Sequence, residues 1–150
     1  MDNKALMTIF ETYDEDATAR SVASFFKTFK KIILIAGESI TSLKSPVING
    51  MPANHDGKNH QEEKVVEHAN ATDIAPKVFK DVQFALSVIS ERSRKIITGT
   101  YIDELTGDMM AAKLGYSEST FKRFKKVALN EFADAMTSNK TYLHLDLHAK

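Results

Sequence analysis

Cysteine is absent from all 150 residues, which removes disulfides, thiolate metal sites and thiol nucleophiles together. That absence fits a reducing compartment. Long apolar runs are missing too: the longest, Ile32 to Ala36, is far short of a bilayer span. The first residues are acidic and polar rather than a basic segment followed by an apolar one, so no secretory leader is expected and the chain is assigned to the cytoplasm. There is no excess of charge, since 20 Lys and Arg balance 20 Asp and Glu. The total therefore does not announce a nucleic-acid binder. A phosphate-binding glycine loop is lacking, as is a helix-borne histidine pair with a base between them. With the acidic residues scattered as caps and surface positions require, no catalytic residue, no metal site and no cofactor are expected. Strand signals are nearly missing, and the fold class expected is all-α.

Length and a 43% hydrophobic content allow one ordinary domain or two small helical ones. Asp14 to Asp16 offer N-caps and negative charge at a helix start. From there Val22, Phe25, Phe26, Phe29, Ile33, Ala36, Ile40 and Leu43 recur at steps of three or four, an amphipathic helix that Gly37 interrupts. Pro46 ends this N-terminal helical unit, residues 1–44, near Lys44. Residues 45–61 hold two prolines, two glycines and three asparagines with no apolar period, and are expected to be a loop or linker. His55, His60 and His68 match no ligand spacing. Residues 62–136 form the second helical unit: a short helix over Glu62–Asn70, one starting near Asp73 to Ala75 with Pro76 in its first turn, and a bend or boundary between Glu91 and Gly99. In residues 137–150 the pattern frays. Tyr142, Leu143, Leu145 and Leu147 alternate with polar residues in strand-like fashion, and a flexible tail is expected.

The most organised stretch is Leu105 to Phe132. Thr106 stands where an N-cap is wanted, and Leu105, Met110, Ala111 and Leu114 share a face. Gly115 follows the last apolar position, where a helix ends in a left-handed residue. Ser117 is a fresh N-cap, and Phe121, Phe124, Ala128 and Phe132 form the next stripe. Two helices joined by so short a turn have the proportions of a helix-turn-helix, at about 105–135. From Lys113 to Lys126, the basic residues Lys113, Lys122, Arg123, Lys125 and Lys126 outweigh Glu118, a local charge of +4. Such a run alone is what any solvated helix face carries; a helix that enters DNA also carries it.

Residues Ser93 to Phe132 resemble the C-terminal DNA-reading domain of bacterial sigma factors through SRKIITGTYIDEL, the Thr106-capped helix, LGYSE and Ala128-Leu129. A wider likeness runs from about Asp16 to Met136. The early ATARSVASFF, then SITSLKSP followed by GMP, then SRKIITGTYIDEL and LGYSESTFKRFKKVALNEFADA resemble the ArpU family of phage-encoded transcriptional regulators. The resemblance implies a sequence-specific DNA-binding regulator of late phage genes in a bacterial host cell. By analogy with sigma domains it assigns base contacts to Glu118, Ser119, Lys122 and Arg123. Phosphate contacts are then expected from Lys113, Ser117, Thr120, Lys125 and Lys126. Lys125 stands where sigma domains often carry an apolar residue, and Gly107 replaces a better helix former.

The partner expected is double-stranded DNA, with homodimerisation or contact with RNA polymerase as two routes to tighter binding; no membrane partner is expected. Two rivals stay open. Small terminase subunits of phage DNA packaging also join a helix-turn-helix to an oligomerising helical region. An interaction adaptor could keep the same fold, bind RNA polymerase and leave DNA alone.

Overall fold

Asp14 opens the first helix: its Oδ1 accepts the Ala17 N–H at 3.0 Å, and Glu15 and Asp16 lie in the first turn at the positive end of the helix. In the computed structural model, which describes residues 13–38, Leu43 and 71–149, this helix α1 spans Glu15–Ala36. It ends at Gly37, left-handed at φ 70, with the Glu38 N–H returning to Ile33 O. The break expected at Gly37 is therefore a helix end. The linker expected over 45–61 and the short helix over 62–70 lie outside the described residues, as do His55, His60 and His68.

Four further helices follow: α2 (Ala71–Val88), α3 (Glu91–Ile97), α4 (Gly107–Leu114) and α5 (Glu118–Met136), with a π-helical segment at Thr98–Ile102 after α3. No strand occurs among the described residues. The start of α2 lies before the position expected, so Pro76 sits inside the helix. A proline this near the start costs a donor only to the opening turn. The boundary expected between Glu91 and Gly99 has two parts. Ser90 caps α3 through the Ser93 N–H at 3.2 Å, and the π segment then widens the helix, with Asp103 N reaching Thr98 O at 2.9 Å. Gly99 lets Met110 approach closely, since a Cβ at this position would displace the end of the Met110 side chain.

One core serves all five helices. Phe26, Phe29 and Ile33 of α1, Phe79, Val82 and Leu86 of α2, Ile96 and Ile97 of α3, Met110 of α4, and Ala128 and Phe132 of α5 are all buried in it, as is Leu43. The Phe132 ring lies 4.9 Å from Phe26, which stacks on Tyr101 at 4.8 Å. Elements from before and after residue 44 thus share one apolar interior.

Residues 137–149, turns and bends over 137–143 and irregular chain beyond, lie against this core as a strap, where the sequence led to an expected flexible tail. The Asp81 carboxylate, on α2 and 1% exposed, accepts the Tyr142 and Leu143 N–H groups at 2.6 and 2.9 Å. Leu143, Leu145 and Leu147 pack against the core. Farther on, His148 stacks on Tyr13 at 4.1 Å and reaches Asp134 of α5 at 2.7 Å. The strap closes on α1, where Ala149 O accepts the Asp14 N–H at 2.9 Å and Thr18 Oγ1 accepts the Ala149 N–H at 3.0 Å. The strand-like alternation is thus real but has no ladder; it turns every second side chain to the core.

Ser93 shares the buried face of α3 with Ile96 and Ile97, and its Oγ has no hydrogen-bond partner among the described residues. A buried hydroxyl without a partner carries its desolvation cost unrelieved. Ser93→Ala keeps the volume and improves helix propensity, so it is expected to stabilise the fold by about 1 kcal/mol. A lowered thermal midpoint would show that the hydroxyl is satisfied. No described helix is long and apolar enough to cross a membrane, and no group of three or more His, Asp or Glu among the described residues is placed to hold a metal ion.

Candidate nucleic-acid interface

The short helix α4 is fixed at both ends by its own sequence. Thr106 Oγ1 accepts the Met109 N–H at 3.2 Å. Gly115 ends α4 at φ 77, with its N–H reaching Ala112 O at 3.3 Å and the Tyr116 N–H reaching Ala111 O at 2.9 Å, the two bonds of a Schellman turn. Ser117 then caps α5, its Oγ accepting the Thr120 N–H at 3.2 Å. Three residues, Gly115 to Ser117, thus turn the chain from α4 into α5. The same turn is pinned by Tyr116, whose ring meets Phe124 edge-on at 5.1 Å. Met110 and Ala111 of α4 and Phe121 of α5 bury the inner faces.

Burying Phe121, Ala128, Leu129, Phe132, Ala133 and Met136 leaves the other side of α5 to solvent. Four residues assigned to base contacts, Glu118, Ser119, Lys122 and Arg123, are all exposed in the first turn and a half. Lys122 Nζ and Glu118 Oε1 pair at 3.4 Å, four residues apart. Arg123 has no ion pair among the described residues; its guanidinium lies 5.4 Å from the Phe124 ring centroid.

The residues assigned to phosphates are less of a set. Lys113 is exposed on α4. Ser117 donates its hydroxyl proton to Thr120 Oγ1 at 2.9 Å, so these two first engage each other. Lys126 pairs with Asp16 of α1 at 3.2 Å, and beside it the Asn130 side chain donates to Glu15 O at 3.1 Å. The acidic start of α1 therefore lies against the later half of α5 and offsets the charge of Lys126. Lys125 is apart from the others. It is half-buried on the inner flank, with Nζ 5.8 Å from the Tyr101 ring centroid, and burial lowers its pKa from the usual lysine value. Its place is the one expected of an apolar residue, with the stem packed inward and the ammonium against a ring.

Sequence reasoning missed Arg92. Its guanidinium carbon lies 3.8 Å from the Phe124 ring centroid, which brings α3 to the edge of the α4–α5 unit. The cluster Arg92, Arg94 and Lys95 was visible in the sequence, but helical spacing alone does not say which of them meets α5.

No family model matches the chain, and no solved structure matches it. A protein of Enterococcus hirae named "Putative autolysin regulatory protein ArpU" is 28% identical to it over 138 residues, covering 86% of this chain and 93% of that protein. Similarity over nearly the full length of a protein named as a regulator supports an ArpU-like family for this chain.

Proposed function

We propose that the chain is a non-enzymatic, sequence-specific DNA-binding regulator of transcription, acting on late phage genes in the cytoplasm of a bacterial host. In this reading α4 and α5 work as a helix-turn-helix: α4 lies across the backbone and α5 presents its first turns to base edges in the major groove. The observation that carries it is the exposed start of α5, where Glu118, Ser119, Lys122 and Arg123 face solvent on one side while the other is anchored in the core. Arg123 is the residue for a bidentate contact to guanine, because its planar fork matches the O6 and N7 acceptors. Glu118 accepts from a cytosine amino group. Lys113, Ser117, Thr120 and Lys126 serve phosphates, and Lys126 does so after exchanging Asp16 for the backbone.

With no net charge, a monomer neutralises few phosphates and binds weakly. A homodimer, or contact with RNA polymerase, supplies the rest. The ion pairs of Lys122 with Glu118 and of Lys126 with Asp16 favour one other reading, an adaptor for RNA polymerase that leaves DNA alone.

The test is selection from random duplexes on the purified protein, followed by sequencing of the enriched pool. A single consensus is expected, palindromic if the protein binds as a dimer. Arg123→Ala is expected to relax preference at one position of that consensus and to cost on the order of 1–3 kcal/mol on the selected site. Equal losses on selected and random duplex would remove Arg123 from base reading, and no enrichment at low salt would favour the adaptor.

A further inference from the structure

Arg92 belongs to neither α4 nor α5, yet it is held beside the residue proposed to read bases. Ser90 caps α3, and its own N–H donates to Glu131 Oε1 of α5 at 3.1 Å. Ile96 and Ile97 seat the rest of α3 in the core. The Phe124 ring, fixed edge-on by Tyr116, then receives two guanidinium groups, Arg92 at 3.8 Å and Arg123 at 5.4 Å from its centroid. The two charges are therefore within about 9 Å of each other, inside the screening length of ~10 Å at 0.1 M salt.

Both arginines are exposed, and among the described residues neither has an ion pair. Their neighbours differ in this respect, since Lys95 pairs with Glu91, Lys122 with Glu118 and Lys126 with Asp16. Two unpaired like charges on one ring repel each other, and the ring's quadrupole offsets only part of that. An anion beside them turns the repulsion into attraction. A guanidinium stacked on a ring is also ordered beforehand, so less side-chain entropy is lost when it binds a phosphate.

We propose that Arg92 takes a DNA backbone phosphate at the flank of the site read by Arg123, and that Phe124 sets the spacing between these two contacts. The proposal rests on the DNA-binding reading. It makes α3 a third element of the interface and separates the roles of the two arginines: Arg92 positions the protein and Arg123 specifies the sequence.

The experiment measures affinity for a mixed-sequence duplex between about 50 and 200 mM salt, for the full chain and for Arg92→Ala, Arg92→Lys and Arg123→Ala, with thermal midpoints recorded in parallel. Arg92→Ala is expected to make the salt slope shallower by about one. A slope difference of one means that the ratio of wild-type to variant affinity falls about fourfold across that range. Arg92→Lys keeps the charge and is expected to keep the slope. On the duplex enriched by selection, Arg92→Ala should leave the ratio of selected to random affinity unchanged, whereas Arg123→Ala lowers it. An unchanged salt slope in Arg92→Ala, with wild type still binding, overturns this proposal alone. Wild-type protein that binds no duplex at the lowest salt overturns the DNA reading with it. A changed selectivity ratio in Arg92→Ala overturns the division of roles.

Discussion

Phe132→Ala is expected to destabilise the protein by about 3–5 kcal/mol, the range for emptying an aromatic site that cannot collapse. Phe132 is fully buried on α5 and packs against Phe25 and Phe26 of α1, with ring centroids 6.1 and 4.9 Å away. Phe26 in turn stacks on Tyr101 of the π segment. Removing the ring therefore opens a space between α5 and α1, beside a Phe26 ring that is already stacked on Tyr101. For a chain of this size the loss corresponds to a thermal midpoint lower by on the order of 10 °C. Phe132→Leu should recover most of it. The consequence reaches the candidate interface, because the residue that anchors the inner side of α5 also fixes the azimuth of Arg123 on its outer side. A Phe132→Ala protein with the wild-type midpoint would mean that α1 and α5 do not share a core.

What the sequence disclosed most fully is what depends on neighbours along the chain. Asp14, Thr106 and Ser117 each cap a helix through an N–H three residues on, and Gly37 and Gly115 end helices because the left-handed region is theirs. These are short-range decisions, and residue type alone announces them. The buried stripe of α5 was legible for the same reason, since a period of 3.6 marks an inner face whatever it packs against. Lys125 shows the limit. Its identity suggested a phosphate contact, and the phase of the stripe places it half-buried beside Tyr101.

Less legible were the contacts that join distant segments. Nothing near Arg92 marks it as the partner of Phe124, because the approach is set by Ile96, Ile97 and the bond from Ser90 to Glu131. The pairing of Asp16 with Lys126 likewise depends on where α1 crosses α5. Both bear on function, the first adding a cation to the candidate face and the second offsetting one. The electrostatic footprint of the interface is thus a tertiary property. A count of charges from Lys113 to Lys126 includes one lysine that is half-buried and two that are ion-paired, and omits an arginine that shares the Phe124 ring with Arg123.

The largest difference between sequence and structure is the strap, and Asp81→Ala is expected to expose its basis. Asp81 offers its two carboxylate oxygens to two successive backbone N–H groups, those of Tyr142 and Leu143. Hydrogen bonds to a charged acceptor contribute about 1.5–3 kcal/mol each, and the gain from no longer burying the carboxylate offsets part of their loss, so a net cost of about 2–3 kcal/mol is expected. Faster amide exchange should be confined at first to residues near Tyr142 and Leu143, since the far end of the strap keeps its bonds to Asp134, Asp14 and Thr18. Uniform loss of protection across the protein would mean that the strap has no separate opening. The pH dependence adds a second check. Burial raises the Asp81 pKa above its usual 3.8, against the two N–H bonds and the nearby His144, which act to lower it. A carboxyl whose pKa is raised on folding contributes stability that is present below the unfolded pKa and lost as pH rises through the folded one. Comparison with Asp81→Asn isolates this group, because the other titrations cancel in the difference. The margin of wild type over Asp81→Asn should therefore widen as pH falls from neutral towards 3.8. A margin that narrows over the same range would show that the two N–H bonds outweigh burial and that the strap is held by the charge itself.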